Sequence, residues 1–102
     1  MSKSDAIEQE KQSQLYDLVD ALVELANQAT DKALDPGEAH QAMMYATARY
    51  GAFIVAASSE SKEDYEQDKL DARNFYMDQF RQLLNENFDD YLANFDQYLD
   101  SD

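Results

Sequence analysis

In the first third of the chain the apolar residues fall at Leu15, Leu18, Val19, Leu22, Leu25, Ala26 and Ala29. Steps of three and four put them on one helical face, so a helix is expected that ends near Lys32. Residues 1–14 lack the stripe and are read as a polar, frayed N-terminal segment. At Asp35-Pro36-Gly37-Glu38 three start signals coincide: a cap carboxylate, a proline at the first helical position, and a Glu three residues after the cap. They predict a second helix from Pro36 to about Ser58.

That helix is apolar on two sides. Met43, Ala46, Tyr50, Phe53, Ile54 and Ala57 form one stripe, and Met44, Tyr45, Ala48, Ala52, Val55 and Ala56 another. Such a helix is expected at the centre of the fold, buried against more than one neighbour. Along the second stripe Ala48, Ala52 and Ala56 recur every four residues beside Gly51, which would let a partner helix approach closely.

Ser61, with Asp64 three residues later, caps a third segment whose stripe runs from Tyr65 through Tyr76, Phe80, Leu84, Phe88, Tyr91 and Phe95 to Leu99. One helix over 62–99 would be about 57 Å long, far more than the second helix can cover. A kink or break near residues 85–87 is therefore expected, with Asn87 capping a fourth helix. That last piece holds the repeat FDDYLAN-FDQYLDS. Two heptads are too few to establish a coiled coil, so a short amphipathic closing helix is the primary reading and a dimerisation arm the alternative.

Two Gly and one Pro leave too few turn residues for a sandwich or barrel. The predicted fold is an all-α, up-and-down bundle of three long segments, the last broken, forming a single domain over residues 15–102. Charge then narrows the partners. With 22 acidic residues against 8 basic ones, the net charge of -14 disfavours direct binding to nucleic acid or anionic lipid. The stretch from Met43 to Ser59 is nearly charge-free but short, small-residued and interrupted by Arg49, so no membrane span is expected. The chain has no Cys, and its opening residues contain no apolar run of the secretory type. A cytoplasmic location is the resulting expectation.

Candidate chemistry is sparse. His40 is the single histidine, and no nucleophile lies in a recognisable signature, so no catalytic residue is assigned. A di-iron carboxylate site needs a Glu-x-x-His pair on each of two helices, and a phosphate cradle needs a Gly-rich loop; neither pattern occurs. No metal or cofactor is expected. Arg49, among Met44, Tyr45 and Ala48, must reach solvent along its stem or meet a carboxylate such as Asp17, Asp20 or Asp78. Met44, Tyr45 and Arg49 are thus the candidate interface or ligand residues. Glu60, Asp64, Asp68, Asp71 and Asp78 share helical spacing over about 27 Å, a solvated face or a mimic of a phosphate backbone that would bind a DNA-binding protein.

Met44-Tyr45-Ala46, Ala48-Arg49-Tyr50 and Ala52-Phe53, followed by Asn87-Phe88-Asp89-Asp90-Tyr91 and Asn94-Phe95, resemble a family of small uncharacterised acidic proteobacterial proteins. The resemblance covers roughly residues 15 to 100. It implies a stand-alone bacterial protein and supplies no site residues to carry over. Seven Tyr and five Phe are many for one small core, and Tyr is favoured at interfaces. The functional expectation is a non-enzymatic helical protein that binds another protein or a second copy of itself as a homodimer. The alternatives are the acidic mimic and a small-ligand or enzyme site around Arg49.

Overall fold

The computed structural model describes residues 3–99. The fold is all-α: helices account for 91% of it, in an order of three long helices and a short fourth consistent with a helical bundle. They are α1 (Lys3–Thr30), α2 (Pro36–Ser58), α3 (Lys62–Ala93) and α4 (Phe95–Leu99). Contacts group the chain into two compact units, Met1–Arg49 and Tyr50–Asp102, with the boundary inside α2.

In the first unit α1 already begins at Lys3, twelve residues before the first leucine of its stripe. Glu, Lys and Gln make up more than half of that stretch, and their high helix propensity sustains a helix without an apolar face. At its other end the Ala29 carbonyl accepts from the amides of Lys32, Ala33 and Leu34 at 3.2, 3.4 and 3.4 Å. The Thr30 hydroxyl donates to the Asn27 carbonyl at 2.7 Å. These bonds close the helix without a glycine.

The start of α2 is a reciprocal capping box. The Glu38 amide donates to Asp35 Oδ1 at 2.8 Å, and the Asp35 amide donates to Glu38 Oε1 at 3.0 Å. Just inside this cap Ala39 is buried, and Ala26, Ala29, Thr30 and Met43 are half-buried around it. Small residues on both helices bring α1 and the first turns of α2 together at this corner.

The second unit is a helical hairpin with an added turn. The Ser58 and Ser59 hydroxyls donate to the carbonyls of Ile54 and Val55 at 2.7 and 2.8 Å, satisfying the open end of α2. Ser61 caps α3, its hydroxyl accepting from the Asp64 amide at 3.1 Å. Between the helices the Tyr76 ring lies on the Gly51 backbone, so close that a Cβ built at Gly51 would stand 3.4 Å from Tyr76 Cε2.

Three expectations are corrected here. Residues 85–87 do not break the third segment: α3 is continuous through them, and the Asn87 amide group donates to the Leu83 carbonyl at 2.7 Å within the helix instead of capping a new one. The break falls at Asn94, and the fourth helix starts at Phe95. Second, α2 is not buried around its circumference; among the described residues Ala39 is its only buried one. Its two neighbours each touch one side of part of its length. Third, the seam toward α3 is not the alanine stripe. Gly51, Val55 and Ser59 are half-buried, four residues apart, while Ala48, Ala52 and Ala56 are exposed. The close approach thus occurs one residue round from the predicted stripe, where glycine removes the last side-chain bulk.

Candidate interaction surfaces

On α2 Met44 and Tyr45 lie one turn before Arg49, and all three are exposed. The Arg49 guanidinium lies over the Tyr45 ring, 4.9 Å from its centroid, as the i,i+4 spacing allows. Lys69 pairs with Glu66 at 3.4 Å, and Arg81 pairs with Asp78. Asp78, one carboxylate considered for Arg49, therefore holds Arg81 from within its own helix. Arg49 reaches solvent along its stem and uses an aromatic face in place of a carboxylate.

His40 lines a shallow cleft of about 170 Å³ between α1 and α2, together with Val23, Ala26, Thr30, Ala39 and Met43. Pockets that enclose small molecules are several hundred Å³ and carry converging polar groups. This cleft is smaller and mainly apolar, and it reads as the uneven edge of the α1–α2 corner. Among the described residues no group of three or more His, Asp or Glu is placed to hold a metal ion. No helix among them is long and apolar enough to cross a membrane.

Of the five carboxylates of the acidic stripe, Glu60 precedes the Ser61 cap and lies off the helix. Asp64, Asp68, Asp71 and Asp78 share one side of α3 over about 21 Å, and Asp78 is paired with Arg81 on the same helix.

The C-terminal end holds an arrangement the sequence reading missed. The Asp90 carboxylate accepts from the Tyr98 hydroxyl at 2.8 Å and from Asn94 Nδ2 at 3.0 Å. The Tyr98 ring rests on Tyr91 with centroids 4.5 Å apart. Hydrogen bonding to Asp90, reinforced by its charge, raises the Tyr98 pKa above the ordinary phenol value. The spacing Asp90-x3-Asn94-x3-Tyr98, a polar residue every four, is the signal that could have revealed it.

The largest feature is apolar. On α3 alone Leu70, Phe75, Met77, Phe80, Leu83, Phe88 and Leu92 each expose about half or more of their surface, up to 79% for Leu92. On α1 Leu15, Leu18, Val19, Leu22 and Leu25 are exposed to a similar degree. On both helices this exposure recurs on consecutive turns.

The chain is thus an all-α protein with long apolar stripes on α1 and α3. The family described as protein of unknown function (DUF3144) matches residues 15–92, and the chain belongs to that family. No curated protein and no solved structure matches it significantly.

Proposed function

We propose that the protein is a non-enzymatic, self-associating helical domain that works by protein–protein contact. The observation that supports this reading is the exposed apolar face of α3. Within its own unit α3, about 48 Å long, is accompanied by α2 only from Tyr50 to Ser58, about 13 Å. The rest of its apolar surface calls for another helix, and burying it supplies roughly 25 cal/mol per Å². With no Cys and a single His in the sequence, the chain has few groups for nucleophilic or acid–base catalysis. The same composition suits a reducing, cytoplasmic setting.

Self-association also brings together two chains of charge -14 each, so screening should tighten it. Sedimentation velocity and light scattering at micromolar concentration test the reading. The expected result is a mass above 11.7 kDa that increases with protein concentration and with salt. A constant monomer mass over that range would overturn it.

A further inference from the structure

We propose that α3 and α4 are one helix bent by a latch: Asp90, Asn94 and Tyr98 hold the break after Ala93, and their release lets the helix run straight from Lys62 to Leu99. The break is narrow. α3 ends at Ala93, α4 begins at Phe95, and Asn94 between them stands at φ -121 and ψ 29, outside the helical region. Helical bonds flank it on both sides. The Asn94 amide donates to the Asp90 carbonyl at 3.0 Å, and the Tyr98 amide donates to the Asn94 carbonyl at 3.0 Å. Residues 93–95 contain neither Gly nor Pro, so no covalent feature forbids a continuous helix there.

The contacts across the break depend on the bend. On a straight helix Tyr91 and Tyr98 would stand about 10.5 Å apart along the axis, and Asp90 and Tyr98 about 12 Å. Here the two rings are 4.5 Å apart between centroids, and the Tyr98 hydroxyl donates to Asp90 Oδ2 at 2.8 Å. Asn94 Nδ2 donates to the Asp90 carbonyl at 3.1 Å and to Asp90 Oδ1 at 3.0 Å, local bonds of the kind that compete with a helix. Against these ties stands the helical ladder. A straight chain would add bonds from the amides of Phe95, Asp96 and Gln97 to the carbonyls of Tyr91, Leu92 and Ala93, which the break interrupts. Three exposed backbone bonds are comparable in strength with one charge-assisted bond, the Asn94 bonds and a ring contact, so the two forms compete. They also present different surfaces. The repeat FDDYLAN-FDQYLDS runs through the break in phase. In the straight form Phe88, Tyr91, Leu92, Phe95, Tyr98 and Leu99 would share about 120° of arc over about 16 Å, with Asp90 outside it. In the bent form Tyr98 is turned onto Tyr91 and the stripe is cut at Asn94. The latch thus sets how far the apolar face of α3 extends.

Backbone chemical shifts and nuclear Overhauser contacts of the isotopically labelled full-length protein distinguish the two forms. In the parent the Cα shifts should be helical up to Ala93 and again from Phe95, with an interruption at Asn94. The Phe95 and Asp96 amides should lack contacts to the α-protons of Leu92 and Ala93. Tyr98→Phe removes only the hydroxyl and should move the Asn94 shift part of the way toward the helical value, because the ring contact remains. Asp90→Ala removes the acceptor of both Tyr98 and Asn94 side chains. It should carry the shift the whole way, with both contacts appearing and helical shifts unbroken to Leu99. Asp89→Ala makes the same change in helix propensity one residue away and should leave the break in place. A break unchanged in both latch variants, or equally removed by Asp89→Ala, would overturn the proposal. Loss of helical shifts over residues 95–99 in the latch variants would also overturn it, because the tie would then serve only to keep α4 folded.

Discussion

The Tyr98 hydroxyl donates to the Asp90 carboxylate across eight residues of chain, at 2.8 Å, and ties the turn after α3 back onto its last helical turns. An ionised Asp90 favours the protonated phenol, which is why the Tyr98 pKa is raised. The folded protein therefore holds the proton more tightly than the unfolded chain does. This contribution to stability is complete below the unfolded tyrosine pKa of 10.0 and is lost as pH rises through the higher folded value. Ultraviolet titration of the seven tyrosines should show one group ionising late, and Asp90→Asn should return it toward 10.0. An unchanged titration curve in that variant would remove the pairing from the solution structure.

The two bonds between Asp35 and Glu38 satisfy two backbone amides at the start of α2, one of them inside its first turn and one at the cap. Asp35→Ala should cost about 1 kcal/mol, and Glu38→Ala somewhat less, because the cap oxygen then remains. Thermal unfolding followed by circular dichroism at 222 nm reads both. Asp35→Asn and Asp35→Ser keep the acceptor and should lie close to the parent.

That cap was legible in the sequence because every partner lies within three residues, as was the Ser61 cap of α3. The register of the α2–α3 seam was not. Ala48, Ala52 and Ala56 and the set Gly51, Val55 and Ser59 are adjacent rows on the same helix, and spacing alone does not say which row faces the neighbour. The break in the last segment was displaced for a related reason. A kink at residues 85–87 followed from supposing that an apolar helix is no longer than its neighbour can cover. Residues 85–87 contain neither Gly nor Pro, and Asn87 bonds back to Leu83 inside the helix. Helix propensity decides locally, and α3 extends beyond its cover until Asn94, where the backbone leaves the helical region at φ -121 and ψ 29. The candidate residues Met44, Tyr45 and Arg49 drew notice as an isolated cation among apolar neighbours, whereas the Asp90–Tyr98 tie joins residues eight apart across a helix break.

Gly51 gives this seam its sharpest test. Glycine in a helix interior costs up to about 1 kcal/mol relative to alanine, and a Cβ at this position meets the Tyr76 ring at 3.4 Å, an ordinary contact distance. Gly51→Ala should therefore raise stability by up to about 1 kcal/mol, read from urea unfolding at constant m-value. Gly51→Leu has no room against the ring and should destabilise by roughly 1–3 kcal/mol. Equal effects of the two substitutions would show that Tyr76 does not pack on Gly51 in solution.

Arg49 decides between two kinds of positive charge. A guanidinium held by a buried carboxylate leaves an uncompensated charge when it is removed, at a cost of about 3–5 kcal/mol. The exposed guanidinium over Tyr45 has only the ring face to lose, roughly 0.5–1 kcal/mol. Arg49→Gln should therefore destabilise by less than about 1 kcal/mol, and Tyr45→Ala by a similar amount. The two losses should not add, because each substitution removes the same contact, and Tyr45→Phe should leave it in place. A double-mutant cycle with a coupling near zero would separate Arg49 from Tyr45, and a loss of several kcal/mol in Arg49→Gln alone would require a carboxylate partner. The predicted small, coupled loss would instead identify Arg49 as a charge that α2 carries at its surface, available to whatever approaches that face.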